Sequence, residues 1–237
     1  FSFQYHMIAH MVLSMIAPIA IILSAPITLA LRTLPIGRNK SERGIRGMLI
    51  QALHSRPSRV ITHPISALAI FDGSLFALYF TPLFSNLMSG HFGHLIMNFH
   101  FVAAGLLFFH VIVGIDPNPR KVHHLVRVVI LLAAMSIHAF FSVALMSANE
   151  LIDGGLYQLL DRPWATDLLR DQKTGAAIGW AMGEIPIVIA LVATFIQWVR
   201  SDAREAKRAD RRSSTDLAEY NAYLEQLSRK NNSSQDK

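Results

Sequence analysis

Three uncharged stretches dictate what this chain can become. Residues 7–31, 73–115 and 128–149 contain no Asp, Glu, Lys or Arg. About 20 such residues cross a hydrocarbon core of roughly 30 Å as a helix, so the stretch 73–115 must fold back once to fit. The whole chain agrees, with 237 residues of which 52% are hydrophobic and 16% charged, the profile of a polytopic membrane protein. The expected fold is an all-α, polytopic transmembrane helix bundle in a lipid bilayer. Five spanning helices are predicted, roughly 5–31, 60–84, 90–115, 125–148 and 174–199. The chain starts at Phe1 with no initiator Met and no signal-peptide pattern, which reads as part of a longer chain and leaves room for further helices upstream.

The connections differ sharply in charge. The first loop (32–59) is basic with a short amphipathic piece near Glu42 to Leu53, and the second (85–89) reads as a tight uncharged turn. The third opens on Asp116-Pro117-Asn118-Pro119-Arg120-Lys121, whose prolines separate two helices, and the fourth (149–173) is acidic. Beyond residue 200 a charged tail, 201–237, is expected to start as a soluble helix and fray. Of 22 Lys and Arg, 19 lie in the first loop, the third loop region and the tail. The positive-inside rule then makes these segments cytoplasmic and residue 1 extracytoplasmic. The net charge of +6 is a topology signal. It does not indicate nucleic acid as a partner.

Seven histidines fall inside the apolar stretches: His6, His10, His91, His94, His100, His110 and His138. Intramembrane ionisable side chains are expensive and mark functional sites by default. Imidazole is also the commonest metal ligand, and a chain with no cysteine offers no thiolate alternative. At about 1.5 Å per residue, His6, His10, His91, His94 and Asp171 collect at the outer mouth. His100, His138, Glu184 and Asp72 form a deeper polar layer.

His6 and His10, four residues apart on a helix, share a face and can chelate one ion. Zinc proteases carry Glu directly after the first His of this spacing. Here that position is Met7, which removes the protease reading. Met7, Met11 and Met15 offer thioether sulfur, suited to Cu(I). The competing reading is two interfacial histidines bonded to neighbouring helices. His94 and Asn98 share a face of the third span, while His100 points about 120° away from His94. His110 reads as structural, and His54, His63, His123 and His124 as ordinary surface histidines. Gly175, Gly179 and Gly183 make a four-residue repeat that permits close helix approach. Asp171 is a further ligand candidate, with a helix N-terminal charge as the alternative. Buried Glu184 needs a partner.

Taken together, several segments resemble the CtaG family of multi-spanning cytochrome c oxidase assembly factors. They are Tyr5-His6-Met7-x-x-His10-Met11, Ala25-Pro26-Ile27-Thr28, His63-Pro64, Leu78-Tyr79 with Thr81-Pro82-Leu83, and His94 through His100-Phe101 to Gly114-Ile115-Asp116-Pro117. His138-Ala139-Phe140 and Asp171-Gln172-x-x-Gly175 to Trp180-x-x-Gly183-Glu184 complete the set. The resemblance covers residues 1–200 and makes them one transmembrane domain. It implies a role in maturing haem-copper oxidase, with oxidase subunits as partners and copper as the metal handled. It also implies an upstream copper-resistance-type membrane domain in related proteins.

Three readings follow. In the first, copper is bound by His6, His10, His94 and His100, with Met7, Met11, His138, Asp171 and Glu184 as additional or supporting groups, for delivery from the extracytoplasmic side. The second is a membrane haem protein with paired axial histidines, His100 and His138 being the candidates. The third is a metal transporter using Asp72, Glu184 and the histidines, although no inverted repeat is visible. No motif for nucleophilic catalysis or phosphate binding is present, so the chain is expected not to be an enzyme.

Overall fold

Proline and glycine decide where the helices begin and end. The computed structural model describes residues 2–35, 44–119, 122–152 and 167–235, with side chains to 225, and every regular element there is helical. α1 (Phe3–Leu23) stops before Ala25, whose φ of 50° is left-handed. α2 (Pro26–Thr33) restarts on a proline, which has no N–H to leave unbonded in a first turn. The predicted continuous helix 5–31 is therefore two helices. Both oxygens of Asp116 hold the start of α2, accepting from the Ile27 N–H at 3.2 Å, the Thr28 N–H at 2.8 Å and the Thr28 hydroxyl at 2.7 Å.

α3 (Ile45–Leu53) and α4 (Arg56–Ile61) are short and follow one another across the basic loop. α5 (Pro64–Tyr79) opens on Pro64 and is trimmed at its far end by Thr81-Pro82. α6 (Leu83–Met88) replaces the tight turn predicted at 85–89. α7 (His91–Val113) ends on Gly114, whose φ of 64° is the left-handed C′ conformation that glycine adopts without strain. α8 (His124–Ser147) follows, then α9 (Leu168–Gln235), which starts six residues before the predicted 174 and does not end at 199. Arg120, Lys121 and residues 153–166 of the acidic loop lie outside the described residues.

Four helices among the described residues are long and apolar enough to cross a membrane: α1, α7, α8 and the apolar part of α9. α5, the fifth span predicted, is apolar but shorter, because prolines bound it on both sides.

In lipid, helices gain nothing hydrophobic by meeting one another, so small residues and close van der Waals contact carry the packing. A Cβ on Gly105 would overlap the Ser14 carbonyl, so α1 and α7 meet there backbone to backbone. Gly175 and Gly179 instead receive the side chains of Phe3 and Met7, which seats α1 against α9. The backbone widens into π-turns at Val12–Ile16 in α1 and Ala69–Gly73 in α5. In α1 the cause is local. Pro18 has no N–H for the Ser14 carbonyl, and a wider turn relieves its ring.

The chain divides into two units, Phe1–Thr194 and Phe195–Lys237. The first holds two apolar clusters. One gathers around Phe3, Met7, Tyr79, Phe84 and Phe101, and the other around Met15, Phe71, Phe108, Leu131 and Ile187. In the second unit every side chain from Asp202 to Glu225 is exposed.

Candidate metal centre

The site begins with how α1 is held. Asp171, in the first turn of α9, accepts from the Ser2 hydroxyl and the Phe3 N–H, each at 2.7 Å, and from the Gln4 N–H at 3.3 Å. Both carboxylate oxygens serve the N-terminus of α1, where a negative charge is favoured. Asp171 is thus a cap for a neighbouring helix. Of the two roles the sequence left open, ligand or helix-terminal charge, these contacts favour the second.

So anchored, α1 presents His6 and His10 on one face, with ring centroids 3.9 Å apart. His94 enters from the first turn of α7, its ring 5.5 Å from His6 and 6.3 Å from His10. Each of the three offers a nitrogen, and these donor atoms all lie within 4.8 Å of one another. His10 is 1% exposed, His6 is buried at 9%, and His94 is half-buried. They border a cavity of about 790 Å³ whose lining also includes Tyr5, Asn98 and Arg170.

Two neighbours orient the rings. The Tyr79 hydroxyl lies 3.0 Å from Nδ1 of His10, which turns Nε2 toward the cluster. The Asn98 side-chain amide lies 3.2 Å from Nδ1 of His94, while Oδ1 of Asn98 is buried without a hydrogen-bond partner. Exchanging the amide O and N lets Nδ1–H of His94 donate to Oδ1. Nε2 of His94 then becomes the free ligand atom. Hydrogen bonds of this kind set the tautomer of metal-binding histidines. The sequence pointed to Asn98 through its shared face with His94. Tyr79 carried no signal beyond its place in the family resemblance, because its partner lies on another helix.

The donor set fits a first-row metal ion. Nε2 of His6 and of His10 are buried with no hydrogen-bond partner, a costly state for an imidazole nitrogen. A shared cation satisfies all three rings together. Imidazole suits copper, zinc, iron and nickel.

The other predicted residues lie elsewhere. Met7 turns its sulfur toward Gly179 of α9, and Met11 is core at 1% exposure. Neither lines the cavity. Their place in the core follows from the rotation of about 100° per residue that separates them from His6 and His10. His100 is half-buried on another face of α7, and its Nε2 has no hydrogen-bond partner. His138 faces Asp72 with Nδ1 and the Gly179 carbonyl with Nε2, so both ring nitrogens are already directed at groups of the chain. That arrangement does not favour the axial pair His100–His138. Glu184 belongs to the surroundings of His138. His63 and His123, read as ordinary surface residues, cap helices by accepting from the N–H two residues on, each at 3.3 Å. His91 is exposed, and His110 is buried near the far end of α7.

The same segments carry the relationship to known proteins. The chain is 40% identical to uncharacterised proteins of Mycobacterium bovis, Mycobacterium tuberculosis and Mycobacterium leprae, over 96% of its length. It spans 35% of the length of each of those relatives. No solved structure matches it. The model of the cytochrome c oxidase caa3 assembly factor family, Caa3_CtaG, matches residues 1–201, which include all three clustered histidines, the capping Asp171 and the small residues Gly179 and Gly183. The chain belongs to the Caa3_CtaG family of cytochrome c oxidase caa3 assembly factors.

Proposed function

We propose that this chain serves haem-copper cytochrome c oxidase assembly by binding copper at His6, His10 and His94 and releasing it to an oxidase subunit. Copper is cargo here, held at about 2 Å by each imidazole. The observation that carries the reading is the trio of donor nitrogens within 4.8 Å of one another at the edge of a cavity. Three protein ligands leave a coordination position on the cavity side, where an incoming ligand displaces the imidazoles stepwise. Neutral imidazoles hold copper less tightly than a closed thiolate site, which suits a donor. Met7 and Met11 support the fold of the site and do not ligate.

The orientation belongs to the same proposal. Basic residues gather in 32–59, around Arg127 and from Arg200 onward, which assigns those segments to the cytoplasm and the mouth formed by Ser2, His6 and His94 to the outside. Residues 1–200 act as the transmembrane domain and 201–237 as a cytoplasmic tail.

Metal analysis of the purified chain beside a His6→Ala/His10→Ala variant tests the site, and an optical spectrum separates copper from haem. Copper that the double variant loses, without a Soret band, is the expected result. In cells grown at low copper, the variant should accumulate normally in the membrane while oxidase activity falls and partly recovers with added copper. Unchanged oxidase activity at low copper overturns the donor role. A Soret band in the wild-type chain overturns copper in favour of haem.

A further inference from the structure

The bundle holds a second group of ionisable side chains that the histidine cluster does not use. Asp72 sits in the π-turn of α5 and His138 in the middle of α8, each 1% exposed. Nδ1 of His138 is 3.6 Å from Oδ1 of Asp72, and its Nε2 is 3.4 Å from the carbonyl oxygen of Gly179. One turn further along α9, a Cβ on Gly183 would overlap that same Nε2. The small residues at 179 and 183 therefore form a notch that receives the ring edge-on and leaves it little freedom.

This placement fixes the hydrogen atoms. A carbonyl only accepts, so Nε2 of His138 is the donor and carries a hydrogen. In a neutral imidazole the other nitrogen is then a bare acceptor. An ionised carboxylate also only accepts. Neither oxygen of Asp72, nor Nδ1 of His138, has a hydrogen-bond partner. Two bare acceptors facing one another in a buried site leave both groups unsatisfied, which is costly. One proton between them removes both penalties, either as an imidazolium beside a carboxylate or as a neutral ring beside a carboxylic acid.

We propose that Asp72 and His138, with the Gly179 carbonyl fixing the ring, form a buried binding site for one proton in the membrane-embedded core, separate from the histidine cluster. The surroundings favour this occupant. Glu184, next to Gly183 on α9, is within electrostatic range of both His138 and Asp72, so in its ionised form it attracts the same proton. Oε1 of Glu184 is buried with no hydrogen-bond partner. α1 and α7 contribute apolar side chains, among them Met15, Phe108 and Phe109, to the cluster around neighbouring Phe71. A metal ion is disfavoured, since two donors face one another here and Nε2 is turned away. Among the described residues the trio of donors close enough to share an ion is His6, His10 and His94.

Nitrogen-15 NMR of the chain in lipid nanodiscs, labelled on histidine and read beside infrared spectra, tests the site. His138→Gln identifies the ring signals. The expected wild-type result is a His138 with both nitrogens protonated, or with Nε2–H alone beside a carboxylic-acid band that Asp72→Asn abolishes. In Asp72→Asn the amide donates to Nδ1, so His138 should become the neutral Nε2–H form. A wild-type ring carrying its single hydrogen on Nδ1 overturns the proposal. So does a neutral Nε2–H ring with no carboxylic-acid band. The wild-type spectra decide even where the variant does not fold. Signals of His138 that move on adding a chelator identify a metal there and also overturn it.

Discussion

His10 meets the Tyr79 hydroxyl at 3.0 Å and His94 meets the Asn98 amide at 3.2 Å, so each ring is held by a side chain that would not itself touch the proposed ion. Tyr79→Phe keeps the ring that packs on Phe3, Phe84 and Phe141 and removes only the hydroxyl. Loss of an orienting partner of this kind lowers metal affinity about 10–100-fold. Competition with a chelator should show that drop for copper while the thermal midpoint barely moves; an unchanged affinity would mean that Tyr79 does not orient His10. Asp171 acts differently, because it holds the whole start of α1. Removing a helix cap costs about 0.5–2 kcal/mol, and Asp171→Ala should lower the unfolding midpoint in detergent accordingly. Asp171→Asn keeps an acceptor oxygen and should cost less. Equal midpoints for Asp171→Ala and wild type would show that the cap contributes nothing. The sequence made His6 and His10 legible as a pair because their spacing alone puts them on one face. It left Asp171 open between ligand and cap, since only the fold shows that the helix it caps is α1.

Helices α1 and α7 carry all three clustered histidines, and they touch most closely where Gly105 meets the Ser14 carbonyl. Gly105→Ala forces backbone against side chain at that point, so the helices must part and the rings at their outer ends must separate. The expected outcome is a lower yield of folded protein and weaker copper binding in what folds. Gly90→Ala is the matched control, because a Cβ there meets nothing within 4 Å. Equal behaviour of the two variants would remove the contact from any role in the site. The existence of α1, α7, α8 and α9 was legible from uncharged length and composition, and so was the break at Asp116-Pro117. Their ends were less so. Ala25 adopts a left-handed backbone that alanine rarely prefers, and the helix that restarts after it is held through Thr28 by Asp116, 88 positions further on. No local pattern announces such a contact. The π-turn holding Asp72 was equally hidden, although Asp72, His138 and Glu184 were placed at a common depth by counting residues alone.

Charge is distributed over the molecule in a way that no single helix reveals. The histidine cluster, the cap Asp171 and the connection from Ala148 to Glu150 belong with one end of the bundle, where Gln172 of α9 accepts from the Ile152 N–H at 3.0 Å and donates to the Glu150 carbonyl at 3.1 Å. The basic residues Arg32, Arg46, Arg56 and Arg59, and those from Arg200 to Arg212, follow the opposite ends of the spans. An excess of Lys and Arg marks the cytoplasmic side, and the proposed orientation, with copper collected outside the membrane, rests on that rule. Because the native chain has no cysteine, single introduced thiols report the orientation without background. Ser89, exposed between α6 and α7, and Ala148, just past α8 between Ser147 and Asn149, both lie at the histidine end of the bundle. Cysteine at either should react with an impermeant maleimide added to intact cells, whereas cysteine at exposed Ala203 should react only after lysis. The reverse pattern would put the three imidazoles on the cytoplasmic face. Copper would then have to reach the site from the cytoplasm, and delivery from outside would be excluded even if the metal itself were bound.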